Sequence, residues 1–176
     1  MTVIVGYDLI TLREKVDLLA AEERLRELEG RRDMESLNER VGLLRLTGRL
    51  DAAWDAANES LRNVRFSGDR EQLCLARIRR AQVQQFQGKL DAALIELTAC
   101  VDEARNHDWA PTEAFALQHR GKVLFDQREY AAALSDFRTA ATIRTRIGAA
   151  EEQIQSSLVA VAVAESYLTE ENPTGE

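Results

Sequence analysis

Few side chains in this sequence have the types and spacing that catalysis or metal binding requires. The chain has two histidines, His107 and His119, and two cysteines, Cys74 and Cys100, and these match no zinc or redox motif. It also lacks the Gly-x-Ser-x-Gly turn of serine hydrolases, a phosphate-binding P-loop and a His-Glu-x-x-His zinc motif. The sequence therefore predicts that the protein is not an enzyme and carries no catalytic residues, metal ion or cofactor. We expect the two cysteines to be small buried residues in a reducing compartment.

Charge and hydropathy argue against two further classes of function. The formal net charge is −7, whereas a protein that binds nucleic acid needs a basic face to neutralise phosphates. The longest uninterrupted apolar stretch, residues 158–164, is far below the roughly 20 residues that span a bilayer. The first ten residues carry no basic segment and no cleavage signal. We therefore predict a cytoplasmic protein that binds neither nucleic acid nor membranes.

A short segment repeats along the chain and indicates how its helices are organised. Residues 48–54 (GRLDAAW) recur as residues 88–94 (GKLDAAL) and, with arginine in place of glycine, as residues 128–134 (REYAAAL), so the period is 40 residues. An amphipathic helix pattern precedes each copy and another follows it. The helices predicted in this way span residues 34–47, 51–65, 71–87, 91–106, 112–127 and 130–146. Each period is therefore expected to be a helical hairpin.

The turn inside each hairpin carries a residue that suits the end of a helix. Gly48 and Gly88 fit the left-handed backbone conformation of that position, in which a side chain would be strained. Arg128 stands at the same position of the third hairpin. Either Arg128 accepts the strain or the third turn has a different shape.

The segments outside the hairpins are also predicted to be helical. Residues 149–169 repeat the pattern of a first helix and are expected to cap the last hairpin. Residues 8–31 show the pattern of a long charged amphipathic helix. Within an N-terminal segment of residues 1–33, this helix either caps the first hairpin or pairs with its counterpart in a homodimer. Residues 170–176 are predicted to be a disordered tail.

The hairpins resemble tetratricopeptide repeats over roughly residues 34–169. In the third hairpin, Leu117, Gly121 and Leu124 stand where that family has its Trp, Gly and Tyr. The family's Ala-x-x-x-Phe pair is reproduced by Ala133 and Phe137. HEAT and armadillo repeats share the 40-residue period, but the glycine turn followed by Leu-Asp-Ala-Ala favours the tetratricopeptide family. The usual period of that family is 34, so these units look like the lengthened variety seen in bacterial regulatory sensors and cytosolic adaptors.

This resemblance implies an all-α fold, a right-handed α-solenoid of three tetratricopeptide-like hairpins with a further helix at each end. The first helices of the hairpins would line a concave groove. Following the repeat phase, we predict that the groove binds a peptide through Asn38, Arg45, Arg79, Gln82, Phe86, Gln118, His119, Lys122 and Phe125. The alternative for each of these is an ordinary surface side chain.

The groove predicted in this way is more basic than the chain as a whole. Its fixed charges are Arg45, Arg79 and Lys122, so we predict an acidic or C-terminal peptide segment as the ligand, held by charge-assisted and amide hydrogen bonds. Chaperone-binding members of the family use a Lys and Asn clamp, and Asn38 and Gly42 stand at those positions here. The resemblance therefore does not imply binding of chaperone C-termini.

The first helix of the second hairpin departs from the family's phase. Arg77 and Gln84 stand where the first hairpin has leucines. In one interpretation the helix rotates, which leaves its arginines solvated. The residues that would then face the core are Cys74, Ile78, Ala81 and Phe86. In the other, the helix keeps the family phase and places Leu75, Ile78 and Phe86 on the inner wall.

The sequence thus predicts a non-catalytic scaffold or adaptor that binds proteins or peptides. The alternative is a ligand- or peptide-sensing bacterial regulatory protein that acts through a separate output partner. A third interpretation is an architectural oligomer whose own helices fill the groove. Periodicity does not identify the partner.

Overall fold

The computed structural model describes residues 3–171, and this part of the chain is mostly α-helical. Two short strands come first, β1 (Ile4–Tyr7) and β2 (Glu14–Val16). The helices that follow are α1 (Leu18–Glu27), α2 (Met34–Leu46), α3 (Leu50–Ser67), α4 (Arg70–Phe86), α5 (Leu90–Asn106), α6 (Ala110–Asp126), α7 (Tyr130–Arg146) and α8 (Glu151–Glu171). None of these helices combines the length and the apolar character needed to cross a membrane. The mostly helical class is therefore confirmed. The prediction of a disordered tail was wrong for residues 170 and 171, which belong to α8, and residues 172–176 lie outside the described residues.

The helices from α2 onwards begin and end within two residues of their predicted bounds. The reason lies in the turns between them, where a left-handed residue recurs every 20 positions. These residues are Gly48, Gly68, Gly88, Asp108, Arg128 and Gly148, with φ between 55° and 77°. The expectation for Gly48 and Gly88 is confirmed. Arg128 adopts the same conformation with φ 65°, so this arginine accepts the strain.

The hydrogen bonds of these turns also repeat. In five of these six turns the residue after the left-handed position donates its N–H to the carbonyl five residues before it, at 2.9 Å, whereas Asp69, after Gly68, donates to the Ser67 hydroxyl at 3.3 Å. These bonds run from Arg49 to Leu44, Lys89 to Gln84, Trp109 to Ala104, Glu129 to Leu124 and Ala149 to Arg144. This is the Schellman arrangement, which satisfies carbonyls that the end of a helix leaves unpaired.

The N-terminal segment differs from the single helix predicted over residues 8–31. Instead, β1 and β2 pair as an antiparallel hairpin, with Ile4 opposite Val16 and Tyr7 opposite Glu14, and helix α1 is only ten residues long. We call residues 3–17 the N-terminal hairpin. The prediction of a helix was therefore wrong for residues 8–17 and for residues 28–31, which follow the end of α1.

The turn of the N-terminal hairpin is stabilised by the side chain of Asp8. The Asp8 carboxylate accepts hydrogen bonds from the N–H groups of Ile10 and Thr11, at 2.8 and 3.0 Å. Such a turn competes with helix formation, and Leu12 then takes a left-handed φ of 55°. Helix α1 starts where the Asp17 side chain accepts from the first turn of the helix.

The chain forms two compact units, of which unit 1 ends at Lys89 and unit 2 begins at Leu90. In unit 1, helix α3 packs against both α2 and α4, and α2 also contacts α4. The core between them contains Leu37, Val41, Ala53, Ala57 and Val83. Ala53 is fully buried, and such a small residue lets two packed helices approach each other closely.

Helix α1 and the N-terminal hairpin pack on the other side of α2. Ala21, Leu28 and Leu43 form a small buried cluster there, and Val3 and Val16 of the hairpin pack against it. The N-terminal segment therefore packs against the first helical hairpin, which is the contact that one of its two predicted arrangements requires.

In unit 2, helices α5, α6, α7 and α8 pack in chain order, each against the next. Gly121 of α6 faces Phe137 of α7, whose side chain is fully buried. Helix α8 buries Ala160 and Ala164 and packs on α7, as predicted for a capping helix.

Candidate binding site on helices α2 and α4

The predicted groove residues are more buried than an open groove requires. Six of the nine are at most 7% exposed, namely Arg45, Gln82, Gln118, His119, Lys122 and Phe125. Asn38, Arg79 and Phe86 are only partly buried. The first five residues in chain order belong to unit 1 and the last four to unit 2.

A pocket of about 540 Å³ opens between α2 and α4 in unit 1. The residues around it are Met34, Glu35, Asn38 and Glu39 of α2 and Gln72 and Arg79 of α4. We call it the α2–α4 pocket. It brings together Asn38 and Arg79, two residues that the repeat phase assigned to a binding surface. Gln72 was not predicted, although it lies seven residues, and therefore two helical turns, before Arg79 on the same face of α4.

Arg79 is the uncompensated cation of this pocket. Its Nη1 atom is buried and has no hydrogen-bond partner among residues 3–171. Burial lowers the pKa of the Arg79 guanidinium, and no carboxylate opposes this effect. The ordinary value lies so far above neutral pH that the group stays charged. A buried charge without a counter-charge destabilises the fold.

The nearby carboxylate of Glu39 does not supply that counter-charge, because it already binds another arginine. Nε and Nη2 of Arg24 donate to its two oxygens at 2.6 and 2.8 Å. This bidentate pair holds the pKa of Glu39 below its usual range. The pocket thus contains Glu39, whose charge is compensated by Arg24, beside Arg79, whose charge is not compensated. A second carboxylate, Glu35, is exposed at the α2 side of the pocket.

Asn38 is oriented by a second buried residue. Its Oδ1 atom accepts a hydrogen bond of 2.9 Å from the hydroxyl of Ser60, and Ser60 is only 2% exposed. Because the amide oxygen is used in this way, the two N–H groups of Asn38 are the donors that remain for a ligand. Arg79 and Asn38 together therefore favour a ligand that accepts hydrogen bonds and carries negative charge.

Two helical turns further along α2 and α4, the N-terminal hairpin covers the predicted groove. Glu14 Oε2 lies 3.6 Å from Arg45 Nη1, and each side chain is 8% exposed. The guanidiniums of Arg45 and Arg13 lie 4.5 and 4.4 Å from the centroid of the Phe86 ring. The prediction that Arg45 and Phe86 face an accessible groove was therefore wrong. It failed because residues 8–17, which were taken for a helix, instead form most of the hairpin that covers this face.

Burial of Arg45 has an electrostatic consequence. Desolvation lowers the pKa of its guanidinium, and the nearby Glu14 carboxylate opposes that shift. Sequence reasoning missed both Arg13 and Glu14. The available signal was the run of β-branched residues at 3–5, which is typical of a strand.

In unit 2, helix α8 covers two of the predicted groove residues. The Gln118 amide oxygen accepts a 2.7 Å hydrogen bond from Ser157 of α8. Phe125 packs edge-on against Tyr130 and against Tyr167 of α8, with ring centroids 5.1 Å apart in both cases. Gln118 and Phe125 therefore pack against helix α8 and do not line an open surface.

The other two residues in unit 2 are also largely buried. His119 contacts the ring of Phe115 at 4.7 Å between centroids, and Lys122 is 7% exposed. On α4, Cys74 and Ala81 are fully buried, as in the rotated interpretation, whereas the fully buried Ile78 belongs to both interpretations. Arg77 and Arg80 are only partly exposed, so the solvated arginines of that interpretation were wrong.

Two comparisons with known proteins found no match to this chain. No protein-family model matches the sequence, and no curated protein matches it at a significant level. The function is therefore inferred from the contacts of this chain alone.

Proposed function

We propose that this chain is a non-catalytic binding module, a scaffold or adaptor of the tetratricopeptide type, whose α2–α4 pocket holds an acidic peptide segment. The observation that carries the proposal is the Nη1 atom of Arg79, a buried cationic donor without a partner in the described chain, beside an open pocket. A carboxylate bound there would compensate this charge. The N–H groups of Asn38 would add neutral hydrogen bonds to the same ligand.

The proposal extends to the architecture and the setting. Regular helices joined by turns at a fixed spacing support a right-handed solenoid of three tetratricopeptide-like hairpins. The cytoplasmic location and the exclusion of nucleic acid and membranes rest on composition alone. A peptide-sensing regulator with a separate output partner would use the same pocket, so the experiment below bears on both roles.

The proposal is tested with a fluorescein-labelled hexapeptide of alternating glutamate and alanine with a free C-terminus. Its counterpart has glutamine in place of glutamate and an amidated C-terminus. We expect fluorescence anisotropy to show tighter binding of the acidic peptide. Arg79→Gln should weaken that binding about 10-fold or more, because a hydrogen bond to a charged group contributes about 1.5–3 kcal/mol. Higher salt should weaken it further if part of the contact is solvated.

Arg65→Gln is the matched control, since it removes the same charge from an exposed position of α3 in the same unit. Its circular dichroism and its affinity should both equal those of the wild type. Equal affinity of the wild type for the acidic and the neutral peptide would refute the proposed ligand class. Unchanged affinity in a folded Arg79→Gln variant would remove Arg79 from the site.

A further inference from the structure

The N-terminal hairpin contacts the helices through two neighbouring side chains of opposite charge. Glu14 faces the buried guanidinium of Arg45, and Arg13 stacks on Phe86. Arg45 belongs to α2 and Phe86 ends α4, so one dipeptide of the chain spans the two helices that also form the pocket. We call Arg45 and Phe86 the covered subsite.

The ion pair at the covered subsite is looser than comparable pairs in the molecule. Arg120 and Asp136 form a bidentate pair at 2.7 and 2.8 Å, as do Arg24 and Glu39 at 2.6 and 2.8 Å. The distance from Arg45 Nη1 to Glu14 Oε2 is 3.6 Å, beyond the 2.7–2.9 Å typical of a charge-assisted hydrogen bond. A carboxylate that approached Arg45 to the typical distance would interact with it more strongly than Glu14 does.

The N-terminal hairpin is also a weakly built element. Its strands have four and three residues, with an irregular register between Ile4 and Gly6, and an isolated two-stranded sheet is marginally stable. Leu12 is buried but holds a strained left-handed conformation. Val5, on β1, is 65% exposed.

The covered subsite lies close to the open pocket. Arg45 follows Asn38 by seven residues on α2, and Phe86 follows Arg79 by seven on α4. Seven residues of helix rise about 10 Å, which an extended chain covers in about three residues. A segment that leaves the pocket along these helices therefore reaches the covered subsite directly.

We propose that the covered subsite recognises an extended segment with adjacent basic and acidic side chains, and that Arg13–Glu14 is its resident copy. The carboxylate of the incoming segment pairs with Arg45 and its cation stacks on Phe86, so the segment must displace the N-terminal hairpin. This goes beyond the proposed function, because the ligand chemistry differs from that of the α2–α4 pocket and does not depend on Arg79.

The test uses a labelled peptide with the sequence of residues 8–17 (DLITLREKVD) as the probe and the full chain as the receptor. The Arg13→Ala/Glu14→Gln variant has a weakened resident copy and should bind the peptide at least about 10-fold more tightly than the wild type, since a tethered competitor acts at an effective concentration near millimolar. A peptide with glutamine at the Glu14 position should lose this gain. Arg26→Ala/Glu29→Gln, which changes the same charges at exposed positions, should bind like the wild type.

Hydrogen exchange supplies a second measurement. The N–H groups of Asp8 and Asp17 donate across the N-terminal hairpin at 2.8 and 2.9 Å, and binding of the peptide should accelerate their exchange. Equal affinity of all three proteins, or equal affinity for both peptides, would overturn the proposal. An excess of the unlabelled glutamate–alanine hexapeptide should not displace this peptide, so the two binding sites are distinguished from one another. Displacement by the hexapeptide would instead assign the peptide to the α2–α4 pocket and overturn the proposal.

Discussion

Gly121 of α6 lies so close to Phe137 of α7 that a Cβ atom added to the glycine would stand 2.6 Å from the phenyl ring. Both residues lie within unit 2, and the ring is fully buried. Real Cβ atoms do not approach aromatic carbons this closely, so the pairing of the two helices depends on the missing side chain.

We therefore expect Gly121→Ala to lower the free energy of unfolding by about 1–3 kcal/mol, as overpacking of a core does. Gly42→Ala is the control, because nothing lies within 4 Å of a Cβ added to this helical glycine. It should raise stability by up to about 1 kcal/mol through helix propensity. Urea unfolding followed by circular dichroism compares the two variants. Equal effects would show that the ring moves aside freely.

Replacement of Arg128 by glycine is expected to stabilise the folded protein. This exposed residue holds φ 65°, and a left-handed conformation costs a non-glycine residue about 1–2 kcal/mol. Arg128→Gly should stabilise the protein by about 0.5–1 kcal/mol, since the greater flexibility of glycine in the unfolded chain offsets part of the gain. Gly88→Ala should destabilise it by about 1 kcal/mol. The thermal midpoints of both variants check these signs.

Asp108 offers a graded comparison with Arg128. It has φ 55° in the equivalent turn, and aspartate enters this conformation more readily than arginine does. Asp108→Gly should therefore stabilise the protein less than Arg128→Gly. The reverse order would mean that the arginine side chain contributes a contact that outweighs its backbone strain.

The bidentate pair of Arg24 with Glu39 predicts a pH dependence of stability. The hydrogen bonds from Arg24 lower the pKa of Glu39, so the unfolded chain binds the proton more tightly than the folded one. The contribution of Glu39 is therefore fully present above the ordinary value of 4.5 and is lost as the pH falls through the lower folded value.

The difference in thermal midpoint between the wild type and Glu39→Gln should accordingly be largest near neutral pH and shrink towards pH 3. Glu59→Gln is the control, because Glu59 is exposed in the middle of α3 and the same change there removes a carboxylate from the solvated surface. A difference that persists unchanged at low pH would assign the effect of Glu39→Gln to packing rather than charge.

The homodimer through the N-terminal segment stays a prediction, and exposed apolar side chains give it a definite test. Leu18 and Leu19 of α1 are 59% and 82% exposed, while the opposite side of α1 packs on α2. If the dimer forms, Leu19→Glu should weaken it about 10-fold or more, given about 1.5–3 kcal/mol for burying a leucine. Sedimentation of the full chain measures this, with Ile95→Glu, 73% exposed on α5, as the control. A wild type that sediments as a monomer at tens of micromolar contradicts the dimer.

The sequence predicts α2 to α8 closely because a local rule determines where each helix ends. A left-handed residue such as Gly48 stops the helix wherever it occurs, and the recurrence of that residue indicates the next one. The N-terminal hairpin has no such recurrence. Its turn depends on one aspartate, Asp8, whose side chain competes with a helix pattern that is otherwise acceptable.

The binding residues were predicted less well for a different physical reason. Helical periodicity tells which residues share a face, and Asn38 and Arg79 do line one pocket, while their role in binding stays a prediction. It does not tell which other segment packs on that face. Arg45 lies on the same face of α2 as Asn38, yet Glu14 covers it, and only a tertiary contact distinguishes the two positions.

The constant spacing of the turns also has a consequence for how such a chain can change in length. Residues 109–148 begin just after one left-handed residue and end on another, so both ends of this segment have equivalent backbone geometry. A tandem duplication of the segment would join Gly148 to a second copy of Trp109 through a junction like the one the chain already makes after Asp108. Growth by duplication therefore requires no newly evolved turn.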